Sequence, residues 1–211
     1  LHMNILLIGA TGMIGSRILN EAVERGHTIT ALSRNIENVP ALANVNIVKG
    51  DVYDVEFISE HAAQADVIVS ALSPRNTDDG VAEAEAFTQA LIAIQQKSNK
   101  RLLTVGGGSS LQMPNGQSAL ELTPESILPE ATGMRKGFAL MTLADIDFTV
   151  LAPGGMIAPG ERTGTFRIAG RTMLTNPQGG KSNISAEDFA IAMLDEIESP
   201  AHFRTIFNVA Y

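Results

Sequence analysis

Six short apolar runs, at residues 5–8, 28–32, 45–48, 65–72, 102–105 and 148–151, punctuate the chain, and helix-like segments separate them. The runs are nearly unbroken rather than alternating in polarity, the pattern of strands covered on both faces. Such strands separated by helices predict an α/β fold, doubly wound, with a mainly parallel sheet and helices on both faces. An antiparallel sandwich is disfavoured on the same ground.

The first helix is predicted over residues 13–25, with Ile14, Ile18, Leu19, Ala22 and Val23 on one face and Gly26 free to take a left-handed cap. A second covers about residues 81–97 and turns Ala84, Phe87, Leu91 and Ile94 inward. A late helix follows "ISAED", where Ser185 and Asp188 suit an N-terminal capping pair, and it ends near Ser199 and Pro200. The tail "TIFNVAY" is predicted as an edge or final strand. Two Gly/Pro-rich loops, about residues 106–129 and 153–164, are longer than plain connectors need and both follow strands, so both open on one sheet edge.

Length and composition change this picture little. A chain of 211 residues, 45% hydrophobic, supports one substantial core and predicts one domain over residues 3–211. A net charge of -8 argues against broad nucleic-acid or membrane binding, although a local basic spot can still hold a phosphate. No apolar run approaches the roughly 20 residues that span a bilayer, and no charged-then-apolar leader precedes Met3. The absence of cysteine excludes thiolate catalysis and cysteine metal sites and fits a reducing compartment, so a cytoplasmic location is expected. The histidines have no carboxylate spacing that suggests a metal site, and none is expected.

The chemistry starts at "NILLIGATGMIGSRIL", where Gly9, Gly12 and Gly15 stand between the first strand and the first helix. In that context Gly9 permits a tight turn, Gly12 lets backbone approach a pyrophosphate, and Gly15 lets the helix pack closely on the strand. Thr11, Met13 and Ile14 complete a turn whose free N–H groups suit phosphate oxygens. The alternative is an ordinary strand-to-helix turn. At the end of the second strand, "ALSRN" offers Ser33 and Arg34 and no carboxylate, which favours the 2′-phosphate of NADP(H), with NAD(H) also possible. Arg34 as a solvated loop cation is the competing reading.

With "GATGMIG", "LSRN", "KGDVYD", "GGGSSL", "LAPGGMIAPGERTG" and "ISAEDFAIAMLDEIE" in order, nearly the whole chain resembles the atypical short-chain dehydrogenase/reductases. More closely it resembles their small NAD(P)H-flavin reductase group, related to biliverdin/flavin reductases and NmrA-like proteins. The resemblance implies a Rossmann-type fold with a small acceptor-pocket region over about residues 153–211. It implies that Asp51 and Val52 flank the adenine, that Ala71, Leu72 and Ser73 line the cofactor ribose, and that Pro153, Gly154 and Gly155 meet the nicotinamide carboxamide. It also places Lys136 at the nicotinamide ribose.

Catalytic short-chain reductases use a Ser at the fifth strand's end and a Tyr-x-x-x-Lys on the next helix. The chain has only Tyr53 and Tyr211, neither on the helix expected near residues 131–143. Thr132 falls at the Tyr position, and its pKa is far too high for a general acid. The strand-end Ser becomes Gly107, with Ser109 and Ser110 following. Ketone or alcohol chemistry is therefore disfavoured. A flavin or quinone delocalises its new charge and takes its proton from water, so only stacking and orientation are needed.

The expectation is an NADPH-dependent reductase of a planar small-molecule acceptor, with flavin as substrate, acting as a monomer or homodimer. Lys136 and Ser109 are its candidate catalytic residues, and Ser109, Leu111, Met113, Met156 and Ile157 its candidate acceptor wall. Glu161 and Arg162 are expected to shape the loop structurally. The rival is a non-catalytic, NmrA-like dinucleotide-binding regulator. A nucleotide-sugar epimerase is disfavoured, because such relatives carry the Tyr and a larger C-terminal domain.

Overall fold

The computed structural model describes residues 1–75, 78–180 and 182–211. In chain order its elements are β1 (Asn4–Ile8), α1 (Met13–Glu24), β2 (Thr28–Ser33), β3 (Val45–Lys49), α2 (Val55–Ala63), β4 (Val67–Ser70), α3 (Gly80–Ser98) and β5 (Arg101–Val105). Then come α4 (Leu128–Leu143), β6 (Phe148–Pro153), β7 (Met156–Ala158), β8 (Arg167–Ala169), β9 (Asn183–Ser185), α5 (Ala186–Glu198) and β10 (Thr205–Ala210).

The main sheet runs β3-β2-β1-β4-β5-β6-β10-β8, parallel throughout except for β8, which pairs antiparallel with β10. Strand order reverses between β1 and β4, which opens a crevice beyond the carboxyl ends of the strands. The predicted architecture is therefore found. The unbroken apolar runs have their explanation in β1, where Ile5 and Leu7 enter one core and Leu6 and Ile8 the other. Helices α1 and α5 cover the first face, and α2, α3 and α4 the second.

Helix α1 buries Ile18, Leu19 and Ala22. Gly26, at φ +84°, ends it as expected, with its N–H on the Val23 carbonyl and that of His27 on the Ala22 carbonyl, a Schellman closure. Three expectations need correction. The run at 65–72 pairs only over Val67–Ser70, with exposed Asp66 before it and partly buried Ala71 and Leu72 after it. The tail forms the final strand but not an edge, since the short β8 flanks it. The three-residue strands β7, β8 and β9 were not foreseen. Among the described residues no helix is long and apolar enough to cross a membrane.

Candidate dinucleotide and acceptor site

The three glycines of the first turn do three different things. Gly9 adopts φ +86°, and a Cβ on it would meet the Ala71 carbonyl carbon at 3.2 Å. A Cβ on Gly15 would stand 1.8 Å from the Gly9 carbonyl oxygen, so α1 can seat on the turn only because residue 15 has no side chain. At Gly12 nothing lies within 4 Å of the Cβ position. Gly12 is the N-cap of α1, no side chain caps the helix, and its first turn holds no acid. Its leading N–H groups are thus left for an anion at the positive end of the helix dipole. Met13 is partly exposed there, while Ile14 packs against the core.

Thr11 leads into a cleft of about 570 Å³, within the range of small-molecule sites. Gly9, Thr11, Ser33, Arg34, Asp51, Val52, Leu72 and Ser73 all line it, so one crevice gathers them. Ala71 lies behind, its N–H on the Ile8 carbonyl. The cleft is polarised. Ser33, Arg34, Asn35 and Asn38 line it at the end of β2, with no carboxylate among them. Asp51, Tyr53, Arg75 and Glu83 line the wall beyond β3 and towards the start of α3. Glu83 accepts the Arg75 N–H at 2.6 and 3.0 Å, and Asp51 accepts the Tyr53 N–H at 3.0 Å. A nicotinamide dinucleotide fits this set: an open Gly12, an uncapped helix, and a cation, Arg34, at the end of β2.

The ends of β5 and β6 form the neighbouring stretch of the same edge. Gly107 lies against Met134, and a Cβ on Gly108 would meet the Pro153 carbonyl oxygen at 3.2 Å and Met173 Cε at 3.5 Å. The floor at the ends of β5 and β6 is thus backbone at Gly107 and Gly108, with Met134 and Met173 packed against it. Several expectations for this end are corrected. Lys136 Nζ pairs with Glu85 of α3 at 3.2 Å on the exposed α3–α4 seam. One residue is about 100° of helix rotation, and it is Arg135 that reaches the β5 loop, donating to the Ser109 carbonyl oxygen at 2.9 Å. Ser109 is itself buried, and its hydroxyl donates to the Ala131 carbonyl oxygen at 3.0 Å, which fastens the loop to α4.

Leu111 is fully buried in the core rather than facing an acceptor. Ile157 packs against the α1–α5 core, Met113 closes a turn with Gln117, and Met156 is exposed. Gly154 donates its N–H to the Val209 carbonyl at 2.9 Å, and a Cβ on Gly155 would stand 2.4 Å from the Ser182 carbonyl oxygen. Both glycines are thus explained by packing against neighbouring backbone, with the Gly154 N–H already bonded.

The "GERTG" loop is fastened from below. Arg162 makes two bonds to Glu21 of α1, at 2.8 and 2.9 Å, which with those of Arg25 outweigh burial and leave that carboxyl below its usual range. Asp188, fully buried, accepts from the Thr163 and Gly164 N–H groups at 2.9 Å, the Thr163 hydroxyl at 2.6 Å and the Tyr211 hydroxyl at 2.6 Å. Burial alone would raise the Asp188 carboxyl, but these hydrogen bonds outweigh it and lower it. Ser185 caps α5 through Asp188 N–H as predicted, at 3.0 Å. The other half of that capping pair is taken by Tyr211, whose hydroxyl oxygen accepts the Ser185 N–H at 3.3 Å. Tyr211 is therefore bonded into the loop anchor, far from any role as a proton donor.

Sequence reasoning missed Met134, Arg135, Met173 and Asn208. The signal for Asn208 was available, an amide in the apolar run "IFNVA". Its side chain is fully buried, accepts the Leu174 N–H at 3.0 Å and donates to the Gly170 and Thr172 carbonyls at 2.7 and 2.9 Å. That tether lays Met173 on Gly108.

Residues 9–200 match a protein family described as NAD(P)H-binding. Three solved structures each superpose on 99% of the chain. A candidate exported protein from Burkholderia pseudomallei is 37% identical, with TM-score 0.87 and 100% of its own chain covered. A candidate epimerase from Bacteroides thetaiotaomicron is 33% identical, with TM-score 0.89 and 96% covered. A candidate NADH-flavin reductase from Streptococcus pneumoniae is 26% identical, with TM-score 0.87 and 99% covered.

Proposed function

The chain belongs to the NAD(P)H-binding family, within an atypical short-chain dehydrogenase/reductase-like group, and from that premise we propose that it is an NADPH-dependent reductase of a flavin, quinone or similar planar acceptor. One observation carries the choice of acceptor: both tyrosines lie away from the floor over β5 and β6. Tyr53 lines the far cleft, and Tyr211 is bonded to Asp188 and Ser185. An acceptor that needs a proton delivered by a phenol, such as a ketone or a sugar intermediate, has no donor of that kind. The relative described as an epimerase therefore does not set the reading.

When bound, the reduced dinucleotide supplies the hydride. The residues of the chain hold and orient. The uncapped start of α1 grips the diphosphate, and Arg34 takes the 2′-phosphate by charge-assisted hydrogen bonds. Gly107 and Gly108 let Met134 and Met173 pack close to the floor, which gives it a soft, adaptable surface. The rate then comes from proximity of two flat rings, not from an acid or base on the protein. The name of the Streptococcus relative supports this class of acceptor.

The test is oxidation of NADPH, followed at 340 nm, with FMN, riboflavin and a benzoquinone in turn. Turnover well above the uncatalysed rate is expected for at least one of them. Tight NADPH binding without turnover of any would replace the reductase by the non-catalytic regulator.

A further inference from the structure

The cleft carries a large aromatic side chain that no step above uses. Tyr53 is 52% exposed, whereas the other apolar residues of the same wall, Leu32, Val52 and Phe87, are each below 9%. Its position is held from behind, since the Tyr53 N–H donates to Asp51 Oδ1. Its phenol feels Glu83, Asp51 and Arg34 together, which puts the ring in the middle of the cleft's polar groups. Burial and the two carboxylates raise that phenol above its ordinary value, so it stays neutral near pH 7.

The cleft thus presents Arg34 at the end of β2 and, beside it, an aromatic face with Asp51 and Glu83 at its rim, Arg75 lying next to Glu83. A ligand matching that order has an anionic group joined to a flat base bearing amino protons. We propose that Tyr53 is the stacking platform for the adenine ring of the dinucleotide, an inference that rests on the dinucleotide reading of the cleft. The apolar face of the base covers the exposed ring, and the carboxylate rim suits the exocyclic amino group. Stacking of a base on an aromatic side chain is tolerant of detail and depends on the ring rather than the hydroxyl.

The test compares Tyr53→Ala and Tyr53→Phe with the unaltered protein, using calorimetric titration with NADPH, adenosine 2′,5′-bisphosphate and reduced nicotinamide mononucleotide. The Ala variant is expected to bind the two adenine ligands about tenfold more weakly, and the Phe variant to bind them as the unaltered protein does. Binding of the mononucleotide, which lacks adenine, should be the same in all three. The chain has no tryptophan and 2 tyrosines, so tyrosine emission gives a second readout. The bisphosphate should quench it in the unaltered protein and leave Tyr53→Phe unquenched. Unchanged NADPH affinity in Tyr53→Ala, or an equal quench in Tyr53→Phe, overturns the platform. Failure of the unaltered protein to bind NADPH at all would instead remove the dinucleotide reading beneath it.

Discussion

Glycine serves opposite ends in the two halves of the sheet edge. In the turn after β1, Gly12 faces open space at the start of a helix that no side chain caps. After β6, a Cβ on Gly154 or Gly155 would strike neighbouring atoms within 3 Å, and the loop beyond is bonded to Glu21 and Asp188 on α1 and α5. The first half leaves hydrogen-bond groups unmade, and the second half uses them up. Unmade groups at a surface suit a ligand. Saturated ones hold a loop still.

The sharpest way to separate an open glycine from a packed one is to add a methyl group at each kind of position within the first turn. Gly15→Ala forces a Cβ onto the Gly9 carbonyl and is expected to cost at least about 3 kcal/mol in urea unfolding. Gly12→Ala meets nothing in the protein, so stability should stay within about 0.5 kcal/mol while NADPH affinity, measured by titration, falls by about tenfold or more. If Gly12→Ala instead destabilised the fold and left binding intact, the two glycines would have been assigned the wrong tasks.

Next in size is the loop anchor. Asp188→Ala leaves the Thr163, Gly164 and Tyr211 donors without their buried acceptor, and about 2 to 3 kcal/mol should be lost. NADPH affinity should change less than twofold, because Thr163, Gly164, Asp188 and Tyr211 do not line the cleft that holds Arg34. Asp188 and Glu21 are both held below the usual carboxylate range in the folded chain. The unfolded chain therefore takes up their protons first as pH falls. Their contribution is complete above the ordinary carboxylate range and drains away as pH drops below it through the lowered values. Urea midpoints measured from pH 6 down to pH 3 should fall less steeply in Asp188→Ala. Equal slopes in the two proteins would remove Asp188 from the acid response.

The smallest effect expected is on cofactor choice. Arg34→Ala should weaken NADPH by about tenfold and NADH by less than threefold, with the melting temperature unchanged. Equal losses for the two cofactors would mean that Arg34 does not read the 2′-phosphate.

The dinucleotide half was legible in the sequence because its determinants are local. Gly9, Gly12 and Gly15 lie within one turn, and Ser33 and Arg34 end a strand whose register the apolar run fixes. The acceptor half was not, because its bonds join distant segments. Thr163, Asp188 and Tyr211 meet across 23 to 25 residues, and Arg162 finds Glu21 across 141. Nothing periodic announces such a meeting. Lys136 shows the intermediate case: the helix was foreseen, but a one-residue difference in facing direction gave the β5 loop to Arg135. The three-residue strands escaped because Arg167–Ala169 and Asn183–Ser185 are too short and too polar to read as strands.

Helix α1, whose first turn is the proposed phosphate grip, packs on α5, and Arg17 and Glu21 bond to Glu187 and Arg162. Without α5, the face of α1 bearing Ile18, Leu19 and Ala22 lacks its cover, so two helices far apart in the chain must settle together before the proposed grip has a fixed base.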